Sequence, residues 1–406
     1  MATTSTHLVV SVAFQDAGDA TRAIAIAVAL RESCPLGHDL KITFLSCGSR
    51  FEHLITSAGF EIVACQPRVK GRSVAHDLGW DFPEFFGSEQ IAKTFIDGQL
   101  EAFRSLRPDA VFHGMWAPAS IAARLLGIRT INFLPVPLHP SSFTNGLIRD
   151  LPDMMPLFTR LPRPIRQKLA WWGSGLMILF HADYSDRLPR NIAITGPLFA
   201  KSDAELDADI VAHMRKGPGP AILVTMGSSG TEEFLFEAIR AFTMSPNDDW
   251  NIVVLASPSI CSPDEARAVA GNDPRLLVTD RFIPALKATA LADVAVIHGG
   301  QGTVQTAMAA GTPIVGVALQ IEQQTNLDNA MNAGVGIRVQ RQHWNPKAIR
   351  EAVQKVQRDA SYRSNARALA EKINDMDGAK VAADCMWNFL LKDEEKVPIL
   401  SYETKS

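Results

Sequence analysis

Short apolar runs rich in Val and Ile alternate with longer stretches of helix-forming composition along much of the chain. Residues 8–14 (LVVSVAF) read as a buried strand, 15–19 as a Gly-containing loop, 20–31 as a helix and 41–45 as a second strand. Farther on, 109–112 and 130–134 are apolar enough for buried strands, and the segment 118–126 between them reads as a helix that Gly127 caps. Strands separated by helices are joined by crossovers, so the pattern predicts an α/β fold with parallel sheets covered by helices on both faces.

The alternation lapses over 135–197, where prolines are frequent and strand signals sparse; this stretch predicts loops and helices around a pocket, ending in a short apolar run at 192–195. Gly and Pro then accumulate between Gly196 and Pro220, which predicts an interdomain linker. Beyond it the same grammar returns: strand 221–226, loop Gly227-Ser228-Ser229-Gly230, helix 231–242 and strand 251–256. The resulting division is an N-terminal Rossmann-like domain over 1–195, a linker over 196–220, a C-terminal Rossmann-like domain over 221–376, and a last helix with a loosely held tail over 377–406.

Composition narrows the picture. A chain of 406 residues, 47% hydrophobic and 20% charged, is long enough for two domains with separate cores. A formal net charge of −3 lacks the excess of Lys and Arg that phosphate-backbone contacts need, which argues against a nucleic-acid partner. Five cysteines, an odd number without a CxxC pair, argue against a complete disulfide framework and for a reducing cytoplasm. The first apolar run has no basic segment before it and continues into Gln15-Asp16, so it reads as a strand and not a signal peptide. The longest apolar run, 169–180 (LAWWGSGLMILF), is broken by Gly173, Ser174 and Gly175 and falls short of the ~20 residues of a spanning helix; no transmembrane segment is expected.

The segment 293–339 carries the most chemistry. Strand 294–297 runs into His298-Gly299-Gly300-Gln301-Gly302-Thr303, and a helix over 304–310 follows at once. A glycine-rich turn at a helix start aims backbone N–H groups and the positive end of the helix dipole at an anion, so the turn reads as a diphosphate cradle with His298 and Thr303 as side-chain donors. The plainer alternative is a tight turn with Thr303 as an N-cap. Next come Gly311-Thr312-Pro313, a strand over 314–317, Glu322-Gln323, and a helix that carries Asn326 and is capped by Gly334.

HGGQGT, AAGTPIV, the Glu-Gln pair with Asn326 beyond it, and AGVG together resemble the donor-binding signature of the UDP-glycosyltransferase superfamily and its bacterial macrolide and antibiotic relatives. VTMGSSG, ITGPL and the segment YRSNARALAEKI near the C-terminus are similar to that family too, so the resemblance covers most of the second half; the first half matches more loosely. It implies a GT-B fold, two Rossmann-like domains facing across a cleft, with the last helix packing back on the first domain. It also implies an inverting, metal-independent transfer of a sugar from a UDP- or TDP-sugar to a hydroxyl of a small lipophilic acceptor, with no cofactor beyond the nucleotide-sugar co-substrate. In keeping with this, the sequence offers no DxD-like pair at a strand end.

Carried over residue by residue, the resemblance implies diphosphate contacts from His298, Gly300, Gly302 and Thr303, with Ser228 and Ser229 adding donors and Gln301 also among the donor-binding residues. Phe282 and Ile283, within Arg281-Phe282-Ile283-Pro284, frame the base, unless Phe282 is a core residue. Glu322 and Gln323 bond the sugar hydroxyls, the alternative for Glu322 being an exposed helix-start acid. Aromatic residues in the first half, Trp116 and Phe143 among them, with Trp80, Phe82, Phe85, Phe86, Trp171 and Trp172, favour a lipophilic acceptor such as a natural product, although aromatic side chains commonly build cores.

Two positions depart from the family pattern. Thr306 stands where many members have a Glu that holds the ribose. Gly18-Asp19 stands where the common motif has Gly-His, so either Asp19 or His113, at the end of strand 109–112, takes the role of base. An ordinary Asp titrates near about 3.9 against about 6.5 for His and is the weaker base; Asp19 also reads as an N-cap of the helix from residue 20. These departures motivate two further readings: a catalytically silent homologue that acts as an activator or binding partner, and a nucleotide-sugar epimerase.

Overall fold

The computed structural model describes residues 4–12, 17–69, 89–135, 150–153, 160–170, 193–199, 204–245, 248–271 and 273–392. Among the positions singled out above, Phe143, Trp80, Phe82, Phe85, Phe86, Trp171, Trp172 and the tail beyond 392 lie outside them. The chain divides into two compact units, one of residues 1–134 with 377–406 and one of residues 135–376.

The first unit is a parallel sheet of β1 (Thr4–Val10), β2 (His38–Ser46), β3 (Glu61–Ala64), β4 (Ala110–His113) and β5 (Arg129–Asn132), in the order β3-β2-β1-β4-β5. Helices α1 (Ala17–Glu32), α2 (Glu52–Ser57), α3 (Glu89–Leu106) and α4 (Ala117–Leu125) connect the strands. Leu8, Val9 and Val10 are fully buried, as a central strand covered on both faces requires. On α3 the inward stripe is Phe95, Gln99 and Phe103, at the i, i+4, i+8 spacing of one helix face. Gln99 sits in that stripe because its amide is satisfied: its Oε1 accepts from the Ser11 hydroxyl at 2.8 Å, and its Nε2 faces Cys65 Sγ at 3.3 Å and Cys47 Sγ at 3.8 Å. All five cysteines are free, yet the two that sequence spacing separates most innocuously, Cys47 and Cys65, share one amide at the ends of neighbouring strands.

The second unit holds β6 (Ala221–Thr225), β7 (Asn251–Leu255), β8 (Leu276–Thr279), β9 (Val294–Ile297), β10 (Ile314–Gly316) and β11 (Gly336–Arg338), all parallel, in the order β11-β10-β9-β6-β7-β8. Among the described residues its helices include α5 (Ala208–Met214), α6 (Glu232–Thr243), α7 (Pro263–Ala270), α8 (Ala285–Leu291), α9 (Gln301–Ala309), α10 (Ile321–Asn332), α11 (Pro346–Arg358) and α12 (Ala360–Asn374). Alternate strand residues feed two cores. Ile222, Val224, Val294 and Val296 join α6, α7 and α11, whereas Leu223 and Val253 join α5 and α8, and Ala295 and Ile297 join α9, α10 and α12. Each fully buried Val, Leu or Ile contributes about 1.5–3 kcal/mol, so the sheet is held from both sides.

Three findings bear on the domain reading. Residues 150–153 and 160–170 belong to the second unit, not with residues 1–134. The Gly- and Pro-rich stretch 196–220 is not a bare connection, since α5 lies inside it and buries Ile210 and Met214; its Gly and Pro are confined to either side of that helix. The last helix, α13 (Gly378–Leu390), packs on α1 within the first unit, where Trp387 Nε1 donates to the Leu30 carbonyl at 3.0 Å. Arg129 of β5 caps its C-terminus, bonding the carbonyls of Phe389, Leu390 and Lys392 and lying 5.2 Å from the Phe389 ring, where a cation opposes the helix dipole.

Candidate functional site

Renumbered from its own first strand, the second sheet runs 3-2-1-4-5-6, and the order reverses between β6 and β9. In open parallel sheets a ligand crevice opens at the carboxyl ends of the strands that flank such a reversal. The loops leaving those two strands are Gly227–Gly230 after β6 and His298–Gly300 after β9. They meet at His298. Its Nε2 lies 3.3 Å from the Ser229 hydroxyl, and its ring fills the space beside two glycines: a Cβ on Gly227 or on Gly300 would stand 2.4 Å from an imidazole atom. Both glycines are therefore required by the ring, and Gly227, at φ +59, and Gly299, at φ +77, also hold backbone conformations that side chains disfavour.

His298 is 3% exposed, and burial pushes its pKa down to about 4, so the ring is neutral at pH 7. It offers an anion a hydrogen bond, not a positive charge. Its Nδ1 is buried and has no hydrogen-bond partner among the described residues, an arrangement that costs free energy unless a ligand supplies one.

Helix α9 starts earlier than its apolar pattern indicates, at Gln301, with Gly300 as N-cap. Thr303 is thus in the first turn and is not an N-cap. The first helical hydrogen bond runs from Val304 N–H to the Gly300 carbonyl, so the N–H groups of Gln301, Gly302 and Thr303 precede the ladder. Among the described residues, a Cβ on Gly302 would meet nothing within 4 Å, so none of them fills the space over this turn. Thr306, where a ribose-binding acid stands in relatives, spends its hydroxyl on the Gly302 carbonyl at 2.8 Å and is buried.

At the start of α10, Glu322 is 7% exposed, which rules out the exposed helix-start acid. Its Oε1 accepts from Asn326 Nδ2 at 2.7 Å, and the same amide nitrogen donates to the Gly299 carbonyl at 3.1 Å. Asn326 thereby ties α10 to the loop that begins α9. Gln323 accepts at Oε1 from the Leu319 N–H, 2.8 Å, bracing the helix start, while its NH2 has no partner among the described residues. Phe282 is 62% exposed and is not a core residue; its neighbour Ile283 is buried against α5 and α8. Arg281 beside them is taken up by ion pairs with Asp207 and Asp209, at 2.7 and 2.6 Å.

The first sheet has its own reversal between β1 and β4, and both candidate bases follow those strands. α1 begins at Ala17, so Asp19 lies within its first turn and is not an N-cap; Arg22 Nη2 holds its Oδ1 at 2.6 Å. His113, 4% exposed, sits at the end of β4, and its Nδ1 lies 2.8 Å from the Gly114 carbonyl. A carbonyl accepts only, so Nδ1 carries the proton and Nε2 presents a lone pair. Burial lowers the pKa of this imidazole, with the backbone hydrogen bond opposing, and keeps it neutral. Trp116, 2% exposed and edge-on to Phe95 with ring centroids 5.3 Å apart, packs in the core under α3 and α4 among the described residues.

A group of buried charges escapes the sequence reading altogether. Arg338 of β11 bonds Asp328 of α10 through Nε (2.8 Å), Asp150 through Nη2 (2.7 Å) and Asp153 through Nη1; Arg166 adds a second bond to Asp150 at 2.9 Å. The only advance signal is a charged residue, Arg338, in an otherwise apolar strand of a sheet covered on both faces, where an unpaired charge is prohibitive.

Residues 259–386 match the family described as erythromycin biosynthesis protein CIII-like, C-terminal domain. A PGL/p-HBAD biosynthesis glycosyltransferase of Mycobacterium tuberculosis is 25% identical over 320 residues, 71% of this chain and 72% of that one. The oleandomycin glycosyltransferase of Streptomyces antibioticus is 23% identical over 330 residues, 74% and 75% of the two chains. In structure, the Streptomyces sp. SF2575 glycosyltransferase SsfS6, solved with thymidine diphosphate, superposes with a TM-score of 0.57 at 17% identity, over 94% of this chain and 99% of that one. Two parallel α/β units give the chain the fold of the solved GT-B glycosyltransferases, and its sequence is similar to glycosyltransferases of the antibiotic and PGL/p-HBAD type.

Proposed function

We propose that this protein transfers a sugar from a UDP- or TDP-sugar to a hydroxyl of a small lipophilic natural product, in the cytoplasm, by a single inverting displacement without a metal. The observation that carries the donor half is the start of α9: three N–H groups ahead of the helix ladder, open space over Gly302, and the unpartnered Nδ1 of His298 beside them. A diphosphate fits that donor set. As the bond from the anomeric carbon to the diphosphate breaks, charge builds on the leaving oxygen, and fixed N–H dipoles stabilise it without reorganising. Glu322 and the NH2 of Gln323 are the groups that bond the sugar hydroxyls, and exposed Phe282 gives the base a stacking face.

For the acceptor, His113 is the better base. Its Nε2 lone pair is unclaimed among the described residues, whereas Arg22 engages Asp19. Nε2 takes the proton from the acceptor hydroxyl as its oxygen attacks the anomeric carbon, help of a kind typically worth about 10²–10⁴ in rate. Because burial lowers the His113 pKa, the base form persists to lower pH, and the acid limb of the rate profile falls below the ordinary value of about 6.5.

The test is a mass-spectrometric screen of UDP- and TDP-sugars against pooled lipophilic hydroxyl compounds, with His113→Ala, Asp19→Ala and Glu322→Ala in parallel. A glycoside made by the wild type, reduced at least about a hundredfold in His113→Ala and retained in Asp19→Ala, is expected. Survival of activity in His113→Ala with loss in Asp19→Ala reverses the assignment of the base. No glycoside from any pair, with nucleotide binding intact, favours a silent binding partner, while sugar rearrangement without acceptor favours an epimerase.

A further inference from the structure

Helix α10 carries polar residues on two opposite faces, and the second face has no place in the reading above. Glu322 and Asn326, four apart, face the Gly299 loop. Gln324 and Asp328, also four apart and offset by two residues, lie on the other side of the helix. Gln324 is 2% exposed, and both ends of its amide are spent on one segment: Oε1 accepts from the Asp153 N–H at 2.8 Å, and Nε2 donates to the Leu151 carbonyl at 3.0 Å. Asp328, one turn on, bonds Arg338, whose other two nitrogens hold Asp150 and Asp153 of that same segment.

The helix is thus gripped at two points a turn apart by residues 150–153, with Arg338 as the shared cation. Two grips fix both rotation about the helix axis and its tilt, which a single contact cannot do. Apolar packing is non-directional and sets no fixed rotation by itself. Polar groups with directional bonds, buried where the alternative is an unsatisfied amide, set one.

We propose that Gln324 and Asp328 are positioning residues for sugar recognition, setting through their grip on residues 150–153 the orientation in which α10 presents Glu322 and Gln323. The inference rests on the reading of Glu322 and Gln323 as sugar-binding groups. Asn326 links α10 to the loop before α9, but the N–H groups that begin α9 belong to a separate helix, so binding of the bare nucleotide should change far less than binding of the nucleotide sugar.

Calorimetry separates the two. UDP and TDP, and the corresponding glucose and rhamnose derivatives, are titrated into wild type, Gln324→Met and Asp328→Leu, with Glu322→Ala as the direct control. Gln324→Met keeps the volume and loses both hydrogen bonds; Asp328→Leu removes the bond to Arg338 Nε while Asp150 and Asp153 stay on its other nitrogens. Thermal melts accompany each variant.

Each variant should bind the bare nucleotide within about twofold of wild type while its ratio of nucleotide-sugar to nucleotide affinity falls about tenfold or more, in the same direction as Glu322→Ala; tenfold is the lower end for losing a hydrogen bond to a charged group. A wild-type ratio in Gln324→Met means that packing alone orients the helix and overturns the proposal. Equal losses for nucleotide and nucleotide sugar overturn it too, since they report general damage to the unit. If the wild type binds none of these ligands, or if Glu322→Ala leaves the ratio unchanged, the underlying site reading has failed instead.

Discussion

His298 is neutral because it is buried, and that has a measurable price in stability. Its pKa is about 4 in the folded protein against about 6.5 for an ordinary histidine. Between those values the unfolded chain binds the extra proton, so stability rises with pH across the window. The contribution is fully present above about pH 6.5 and is lost as pH falls towards about 4, on the order of 3 kcal/mol in all. Thermal melts of wild type and His298→Gln between pH 7.5 and 4.5 check this: the variant should show the flatter pH dependence, and parallel curves would refute the assignment. The same ring explains why Gly227 and Gly300 flank it, since it occupies the space where their side chains would be.

At the scale of the element, α9 opposes stability to binding. Gly302 is the second residue of a helix, where glycine costs at most the roughly 0.5–1 kcal/mol relative to alanine of a mid-helix site, and no described atom stands in the way of a Cβ. Gly302→Ala should therefore raise stability by at most that amount. If the diphosphate lies over this turn, the same methyl group should weaken UDP and TDP binding, read by calorimetry; unchanged affinity would place the phosphates elsewhere.

The elements themselves were legible because apolar strands announce themselves: β9 falls on the expected 294–297, and β6, β7 and β10 differ from expectation by a residue at one end. The start of α9 was misjudged because Gln301, Gly302 and Thr303 carry no apolar periodicity, although the backbone is helical from Gln301. Motif positions such as Glu322 and Gln323 could be read from local sequence. The grip of Gln324 and the charge cluster around Arg338 could not, because their partners at 150–153 are remote in sequence and meet them only through the fold. Trp116 was ambiguous for a different reason, since an aromatic ring serves a core and a pocket equally well.

At the scale of the whole molecule, the chain leaves its first unit at residue 134 and returns to it at 377. The returning helix buries Ala382, Ala383, Met386, Trp387 and Leu390. A chain ended at Met376 should lose stability in the first unit by several kcal/mol, from apolar burial alone at about 1.5–3 kcal/mol per large side chain. The second unit, which keeps its own sheet, should still bind UDP or TDP. Proteolysis with mass mapping and nucleotide titration read the two effects separately, and loss of both together would show that the units do not stand alone.

The same return path has a consequence during synthesis. The strands β1 to β5 are made before the second unit, but the helix whose Trp387 donates to the Leu30 carbonyl and whose C-terminus Arg129 clamps is made after it. A nascent chain can close the 135–376 unit while the earlier one still waits, its α1 uncovered, for a helix more than two hundred residues behind it. The first unit should therefore complete its packing only after the second has been made, and α1 should be the more open to proteases in that interval.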